Sequence, residues 1–455
     1  MPRLSRRSFL AGTAAIAATP ALGEGAASGS IDVVVVGAGA AGIAAARRLA
    51  AAGRRIVVVE AMDRLGGRCF TETRTFGVPY DRGAHWIHMP DINPVAKLAA
   101  QAKLDVYPAP PGQKLRIGRR FAREGEMEDF LAALVRANRA IGEAARGKAD
   151  VSCAQALPKD LGEWRPAVEF VLGPFGCAKD LGAVSAYDFA KSLERDIDAF
   201  CRQGLGALIA KLAEGLPVQL STQVKAIHWW GRANIDVETT KGWINKPRAV
   251  IVTASTGVLA ADRIKFDPPL PKRHLDAIGK LSLGSYDRIA LELDGNPLGL
   301  QNDDLVFEKA AGNRTAALLA RVSGTSLCLV DVAGKFGAGL AGQGEAAMVA
   351  FATDWLAEQY GADVKKAIRR THATNWAKEP WALGAFSAAA VGGQPSRRVL
   401  MEPIGNRIYF AGEAAHETLW GTVGGAWESG ERVATALLKG YAPAPSRPSK
   451  RPRKR

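Results

Sequence analysis

The sequence predicts an α/β fold, with a Rossmann-like domain built from discontinuous segments and a second, mixed α+β domain. The run IDVVVV (31–36) is β-branched except at Asp32, as in a strand buried on both faces, and the glycine-rich GAGAAG follows it. A helical pattern then runs to Gly53, a typical helix end. Far along the chain, the strand pattern IYF leads through AGE into another glycine-rich helix entrance at 421–426. With 455 residues, 47% hydrophobic and 23% charged, the chain is long enough for two or three domains.

The first unit has the strand, turn, helix and strand of a dinucleotide-binding site. Gly37 permits a tight turn, Gly39 admits a pyrophosphate close to the backbone, and Gly42, after Ala41, lets helix and strand pack closely. The helix N-terminus offers its free N–H groups to the phosphates. The second strand ends in Glu60, which is placed to accept hydrogen bonds from ribose hydroxyls. Together these parts are a specific signal, whereas the glycines alone are a weak one.

The residues after the second strand indicate which dinucleotide binds. Gly66 and Gly67 admit another close backbone approach, and Arg68 can neutralise a pyrophosphate. The pattern EAMDRLGGR (60–68) resembles the flavin-containing amine oxidase family. Its members include monoamine and polyamine oxidases, L-amino-acid oxidases and lysine-specific histone demethylases. The resemblance implies FAD rather than NAD.

The resemblance continues in the family's order over roughly residues 31–440 and is weak over 105–200, as expected of a variable substrate domain. VPYDRGAHWIH resembles the segment that approaches the flavin, which places Gly83 and Ala84 at the cofactor. LPVQLSTQVKAIHW resembles the strand whose valine, here Val224, caps the adenine through its backbone.

The stretch NRIYFAGEAAHETLWGTVGGAWESG resembles the closing FAD motif of the family. The resemblance places Gly412 and Glu413 after a strand, with the carboxylate on the ribityl and pyrophosphate region. Thr422 and Val423 start a helix whose N–H groups can face the flavin pyrimidine oxygens and stabilise a reduced flavin. Animal monoamine oxidases tether the flavin through a cysteine in this stretch. This chain has no cysteine there, which predicts non-covalent FAD.

The resemblance also implies the residues of the reacting centre. Two aromatic side chains stand over the flavin in the family, and they correspond to Phe386 and Trp420. Such walls exclude water and attract cationic amines. The family lysine that holds a water near flavin N5 corresponds to Arg288, which is planar and permanently charged. This difference argues against rapid reaction with oxygen. The other interpretation is that Arg288 forms a surface salt bridge and does not correspond to the family lysine.

We therefore predict oxidation of the C–N bond of a primary or secondary amine to an imine, followed by hydrolysis. An L-amino-acid oxidase and an amine dehydrogenase with an acceptor other than oxygen are alternatives, and so is a non-catalytic flavin-binding module. A desaturase or porphyrinogen-type oxidase shares the front motif, but NWAKEPWALGAFS and TVGGA favour amine oxidation. Neither a triad nor a metal site is predicted, so His85, His88 and His416 are interpreted as cofactor-shell or packing residues.

The two ends of the chain differ from its body. SRRSFL followed by AGTAAIAATPALG has a charged start, an apolar run and a small-residue exit, and it resembles a twin-arginine signal. This predicts export of the folded protein to the periplasm. The formal charge is +15, but nine basic residues lie in these two ends, so no nucleic acid partner is expected. No apolar run reaches the roughly 18 residues of a membrane-spanning helix.

The predicted domain bounds are 1–29 for the signal and linker; 30–100, 204–262 and 382–440 for the FAD-binding domain; 101–203 and 263–381 for the substrate domain; and 441–455 for a disordered basic tail.

Overall fold

A computed structural model describes residues 31–192, 197–230 and 235–441 of the chain. The predicted signal, and the predicted basic tail after residue 441, lie outside the described residues. Within these ranges no helix is long and apolar enough to cross a membrane.

The strands, numbered in chain order, are β1 (Val33–Val36), β2 (Ile56–Val59), β3 (Thr71–Glu72), β4 (Tyr80–Asp81), β5 (Ile87–His88), β6 (Val106–Pro108), β7 (Lys114–Ile117), β8 (Arg120–Phe121), β9 (Asp198–Cys201), β10 (Val218–Gln219), β11 (Val224–His228), β12 (Asp236–Thr239), β13 (Gly242–Asn245), β14 (Ala249–Val252), β15 (Lys265–Asp267), β16 (Tyr286–Leu293), β17 (Leu305–Glu308), β18 (Ala317–Leu319), β19 (Leu327–Ala333), β20 (Ile368–Ala373) and β21 (Ile408–Phe410).

The helices are α1 (Ala40–Ala51), α2 (Pro94–Gln101), α3 (Glu124–Ala144), α4 (Cys153–Ala156), α5 (Arg165–Phe170), α6 (Ala186–Lys191), α7 (Leu205–Leu212), α8 (Thr256–Ala260), α9 (Lys272–Lys280), α10 (Gly334–Gln343), α11 (Glu345–Tyr360), α12 (Val364–Ala367), α13 (Ser396–Met401) and α14 (Val423–Tyr441). A π-helical turn, Val171–Phe175, extends α5.

A parallel five-stranded sheet in the order β10-β2-β1-β14-β21 forms the Rossmann-like part. β1 pairs with β2 and β14 in register, Val33 opposite Ile56 and Ala249. Alternate residues of β1 belong to two separate cores. Val33 and Val35 pack with α1 and α14, and Val34 and Val36 pack towards β11 and β12. The prediction that β1 is buried on both faces is confirmed.

Strands distant in the sequence are adjacent in this sheet, because β14 lies between β1 and β21. α1 and α14 come from the two ends of the described chain and pack closely. A Cβ atom at Gly430 would lie 2.1 Å from the carbonyl oxygen of Ala41, so only glycine allows this approach. The predicted assembly of the α/β part from discontinuous segments is confirmed.

The second region is a mixed seven-stranded sheet in the order β20-β16-β19-β18-β17-β7-β8, antiparallel except between β17 and β7. Side chains from α10 and α11 cover one face. Helices α3 to α6 and the π-helical turn form the other large core. The predicted mixed α+β character is confirmed, and the domain bounds stay predictions.

Candidate active site

A cavity of about 440 Å³ lies at the carboxyl ends of the parallel strands. Val36 and Val59, the last residues of β1 and β2, line it, and so does Thr253 directly after β14. This is the edge at which open α/β sheets bind ligands. The cavity extends past β11 to residues of the seven-stranded sheet, so both regions contribute to its wall.

Nearly all of the predicted cofactor residues line this one cavity: Gly37, Gly39, Ala41, Glu60, Gly67, Arg68, Gly83, Ala84, Val224, Gly412, Glu413, Thr422 and Val423. Gly42 does not, and its role is packing, as predicted. A Cβ atom at Gly42 would lie 2.0 Å from the carbonyl oxygen of Gly37. The cavity therefore joins the two glycine-rich helix entrances of the sequence.

The dinucleotide end has the features of a phosphate cradle. α1 begins after Gly39 with no side-chain cap and no acidic residue in its first turn. At Gly39 a built Cβ would make only an ordinary contact, 3.8 Å from the carbonyl oxygen of Gly66, and at Gly412 it would meet no atom within 4 Å, so neither backbone is crowded on that side. Glu60 accepts N–H bonds from Ala38 (2.7 Å) and Met62 (2.9 Å), which fix its carboxylate at the cavity wall. Burial raises the pKa of Glu60 despite these bonds. The cradle fits a dinucleotide.

Glu413 connects the two ends of the site. Its Oε1 lies 2.9 Å from Nη1 of Arg68, which also donates to the carbonyl of Ala385. Its Oε2 accepts from Oγ of Ser387 at 2.7 Å and from the backbone N–H of Gly421 at 3.1 Å. Arg68 is therefore paired with an acid of the protein. The predicted phosphate and ribityl contacts of Arg68 and Glu413 stay predictions.

The entrance to α14 is built as the sequence predicts. The helix starts at Val423, and the hydroxyl of Thr422 accepts the N–H of Gly425 at 2.9 Å, which caps the helix. Both residues line the cavity, so the positive end of the helix dipole faces it.

Aromatic rings from separate elements line the substrate side of the cavity. Phe175, Tyr286 and Phe386 form a continuous wall, with ring centroids 6.0 Å and 5.9 Å apart. The sequence predicted Phe386 but missed the other two. Tyr286 lies two residues before Arg288 on β16, so the period of the strand was the available signal. Phe175 ends a π-helical turn with no clear sequence pattern.

The prediction that the Trp420 side chain lines the cavity needs correction. Trp420 is 1% exposed and packs in the core formed by α3 to α6, while its neighbour Gly421 lines the cavity. Gly421 has φ +70°, and a Cβ atom there would lie 2.9 Å from the ring of Phe386. The Phe386 ring thus lies against Gly421, and the indole of Trp420 lies in the core behind the wall. Trp376, from the stretch NWAKEPWALGAFS (375–387), does line the cavity.

Arg288 lines the cavity and is 4% exposed. Its Nε and Nη2 bond both oxygens of Asp331, at 2.9 Å and 3.2 Å. Its Nη1 donates to the carbonyls of Asp81 (2.9 Å) and Gly83 (3.1 Å). The Asp331 carboxylate also accepts from Tyr286. This geometry rules out an exposed salt bridge and makes Arg288 a clamp on the 81–83 segment.

The histidines near the motifs are paired with carboxylates. His85 and His88 line the cavity, with Nδ1 atoms 2.8 Å from Asp81 and 2.6 Å from Asp198. His416 lies outside the cavity lining, 3.1 Å from Glu428. Within the described ranges no cluster of His, Cys, Asp or Glu could hold a metal ion.

Fold and cavity together fit a dinucleotide cofactor beside the aromatic wall. The family model for flavin-containing amine oxidoreductases matches residues 40–438. The chain belongs to this family, and its cofactor is therefore a flavin.

Two curated relatives illustrate the family range. Lysine-specific histone demethylase 2 of Homo sapiens is 26% identical over 440 residues, covering 89% of this chain and 53% of the relative. Polyamine oxidase 4 of Oryza sativa is 26% identical over 445 residues, covering 90% and 88%. The chain spans about half the length of the human and mouse demethylases that it matches, 53% and 52%.

Solved structures show the same fold. Putrescine oxidase bound to putrescine superposes with a TM-score of 0.76 at 20% identity, covering 90% of this chain and 99% of the other. Cyclohexylamine oxidase from Brevibacterium oxydans gives 0.77 at 18% identity, covering 91% and 100%. These similarities support the fold and leave the substrate open.

Proposed function

We propose that the protein is an FAD-dependent enzyme that oxidises the C–N bond of a primary or secondary amine to an imine. The observation that carries the proposal is one cavity that joins a dinucleotide cradle to an aromatic wall. Family membership supports the same chemistry. Oxidation removes two electrons and two protons from the H–C–N–H unit. Water then hydrolyses the imine to a carbonyl compound and an amine or ammonia.

The bound flavin supplies the electron sink for this reaction. The protein supplies binding and exclusion of water. Phe175, Tyr286 and Phe386 offer ring faces that attract an ammonium ion. Burial against these rings disfavours the charged form of an amine, so it favours the neutral amine that can be oxidised. The Arg288 clamp fixes the carbonyls of Asp81 and Gly83 and so keeps this edge of the cavity rigid.

An amino-acid substrate receives less support. In the described part of the chain three arginines line the cavity. Arg68 is paired with Glu413 and Arg288 with Asp331, while the guanidinium of Arg82 lies 5.5 Å from the ring centroid of Phe70. Two of these charges are thus balanced by an acid, and the third packs on a ring. The charges of Arg68 and Arg288 are therefore not available to a substrate carboxylate, which makes an amino acid the less favoured substrate.

Two chemical features support non-covalent FAD. Residues 411–430 contain no cysteine. Cys69 lines the cavity, but burial raises the pKa of its thiol to about 12, so very little reactive thiolate forms at neutral pH. Acid precipitation should therefore release all of the flavin into the supernatant. Flavin that stays with the precipitate would contradict this part of the proposal.

Product analysis tests the reaction itself. The flavin-loaded protein is incubated with a panel of primary and secondary amines and amino acids, with either air or an artificial electron acceptor. We expect carbonyl product from at least one amine. Turnover of amino acids alone would favour the amino-acid oxidase instead, and turnover with the artificial acceptor but not with air would identify a dehydrogenase.

The N-terminal arginine pair of the sequence supports a further proposal, that the folded protein is exported to the periplasm. A protein that acquires a tightly held cofactor before export requires a route for folded chains.

A further inference from the structure

A fully buried ion pair lies behind the cavity wall. Arg397 of α13 and Asp188 of α6 are both 0% exposed. Nε and Nη2 of the arginine bond the two carboxylate oxygens at 2.6 Å and 2.7 Å. Burying two charges costs desolvation energy that an apolar pair of the same volume would avoid. Stability alone is therefore a weak explanation for this pair.

The remaining donor group of Arg397 points towards the cofactor site. Nη1 lies 3.2 Å from Oγ of Ser387 and 3.2 Å from the carbonyl oxygen of Ala414. Arginine can only donate, so Ser387 must accept this bond with a lone pair. Its single hydroxyl proton is then directed to Oε2 of Glu413, 2.7 Å away.

Glu413 is thus fixed from several sides. The backbone N–H of Ser387 donates to the same carboxylate at 3.2 Å and 3.3 Å, and that of Gly421 donates at 3.1 Å. Arg397 also holds the carbonyl of the next residue, Ala414. Arg397 therefore acts on both the side chain and the backbone at the point where Glu413 enters the cavity.

Trp420 completes the cluster. Its ring centroid lies 4.9 Å from the guanidinium carbon of Arg397, and its Nε1–H donates to the carbonyl of Asp188 at 3.3 Å. Asp188 accepts the N–H of Ala389 as well, at 2.9 Å. The indole shields the ion pair from water and ties it to α6, which accounts for its position behind the aromatic wall.

We propose that Arg397, held by Asp188 and Trp420, is a positioning residue that orients the Glu413 carboxylate towards the bound flavin cofactor through the hydroxyl of Ser387. This inference rests on the proposed function, in which the protein binds FAD. It also links α6, in the predicted substrate domain, to the cofactor site. It concerns binding of the cofactor, so its test needs no amine.

The test measures the FAD dissociation constant of the apoprotein and the visible absorption bands of the bound flavin. Ser387→Ala removes only the hydroxyl that carries the bond. Arg397→Lys keeps the charge but loses the two-pronged geometry. Arg398→Lys is the matched control, because Arg398 is the next residue of α13 and pairs with Glu417 at the surface.

We expect Ser387→Ala to raise the dissociation constant about tenfold or more, since a hydrogen bond to a charged group is lost. Its flavin bands should shift. Arg397→Lys should also raise the dissociation constant. The double variant should bind FAD only slightly more weakly than the weaker-binding single variant, because both substitutions act on one bond. The control should match the wild type.

An unchanged FAD affinity in Ser387→Ala would overturn the proposal, and this variant decides the question alone if Arg397→Lys does not fold. Independent, multiplying effects in the double variant would overturn it too. A lower melting temperature with unchanged affinity and bands would show a merely structural role. Absence of amine oxidation would contradict the proposed function but would leave this result standing.

Discussion

At the scale of single residues, Phe386 and Trp420 have different roles, although the family resemblance placed both side chains over the flavin. Phe386 lies on the cavity and packs on Gly421, whereas Trp420 packs on Arg397. The two side chains should therefore fail in different ways when they are truncated.

Phe386→Ala should keep the flavin but slow its reduction by amine about a hundredfold, since a wider, wetter pocket misplaces the substrate by roughly 1 Å. Trp420→Ala should instead lower the free energy of unfolding by about 3–5 kcal/mol, as expected for a buried tryptophan. Anaerobic stopped-flow and urea unfolding measure the two effects. If Trp420→Ala has normal stability but its flavin is no longer reduced by amine, Trp420 forms part of the cavity wall after all.

Arg288 is the other residue whose role can be tested alone. Its guanidinium makes bonds to Asp331, Asp81 and Gly83, which leaves little capacity to hold a mobile water. We expect the amine-reduced wild type to reoxidise slowly in air. Arg288→Lys should speed reoxidation by more than it changes reduction, because lysine keeps a charge beside Asp331 and frees its other donors, while loss of the bonds to Asp81 and Gly83 only loosens the cavity edge.

The matched control for this substitution is Arg370→Lys on β20, where the arginine is surface-exposed and paired with Glu292. Stopped-flow measurement of both half-reactions separates reduction from reoxidation. Fast reoxidation of the wild type, unchanged in Arg288→Lys, would contradict the role given to Arg288.

At the scale of elements, α1 packs against the turn before it only because Gly42 has no side chain. A Cβ atom at Gly42 would lie 2.0 Å from the carbonyl oxygen of Gly37 and 3.2 Å from Oγ1 of Thr253. The backbone of the turn would have to move, and this turn forms the phosphate cradle.

Gly42→Ala should therefore lose most of its bound flavin and destabilise the fold by about 1–3 kcal/mol or more, as overpacking does. Gly142→Ala is the control, since Gly142 lies in α3 with no atom within 4 Å of a built Cβ. It should gain up to about 1 kcal/mol from helix propensity. Flavin content per chain and urea unfolding provide the comparison, and full flavin content in Gly42→Ala would refute the packing argument.

At the scale of the whole molecule, the two glycine-rich helix entrances at the cofactor end could be predicted from the sequence, because their turns and helix starts depend on local geometry. Gly37, Gly39 and Glu60 lie in one short unit, and Thr422 and Val423 mark a helix start that the structure confirms. Such features depend on turn chemistry and helix ends, which have sequence signatures.

The substrate side could not be predicted to the same depth. Phe175 reaches the cavity through a π-helical turn, and Asp188 meets Arg397 across 209 residues of chain. Trp420 packs in a core formed by distant helices, and Gly421 after it has a positive φ that the sequence pattern leaves open. These positions are set by tertiary packing of distant segments rather than by local pattern.

The export proposal also concerns the whole molecule. A fusion in which Arg6 and Arg7 are both changed to lysine should stay in the cytoplasm with its flavin bound, because the paired arginines are the proposed address. Fractionation of cells that express wild-type and variant fusions measures this. Unchanged export of the lysine variant would show that another signal directs the protein.

The most direct measurement of the central claim is anaerobic mixing of the flavin-loaded protein with primary and secondary amines while the visible flavin absorbance is followed. We predict that at least one amine bleaches the flavin and yields one equivalent of carbonyl product for each flavin reduced. Phe386→Ala should bind the same flavin and bleach far more slowly with that amine. If dithionite bleaches the flavin but no amine does, the proposed amine oxidation is wrong.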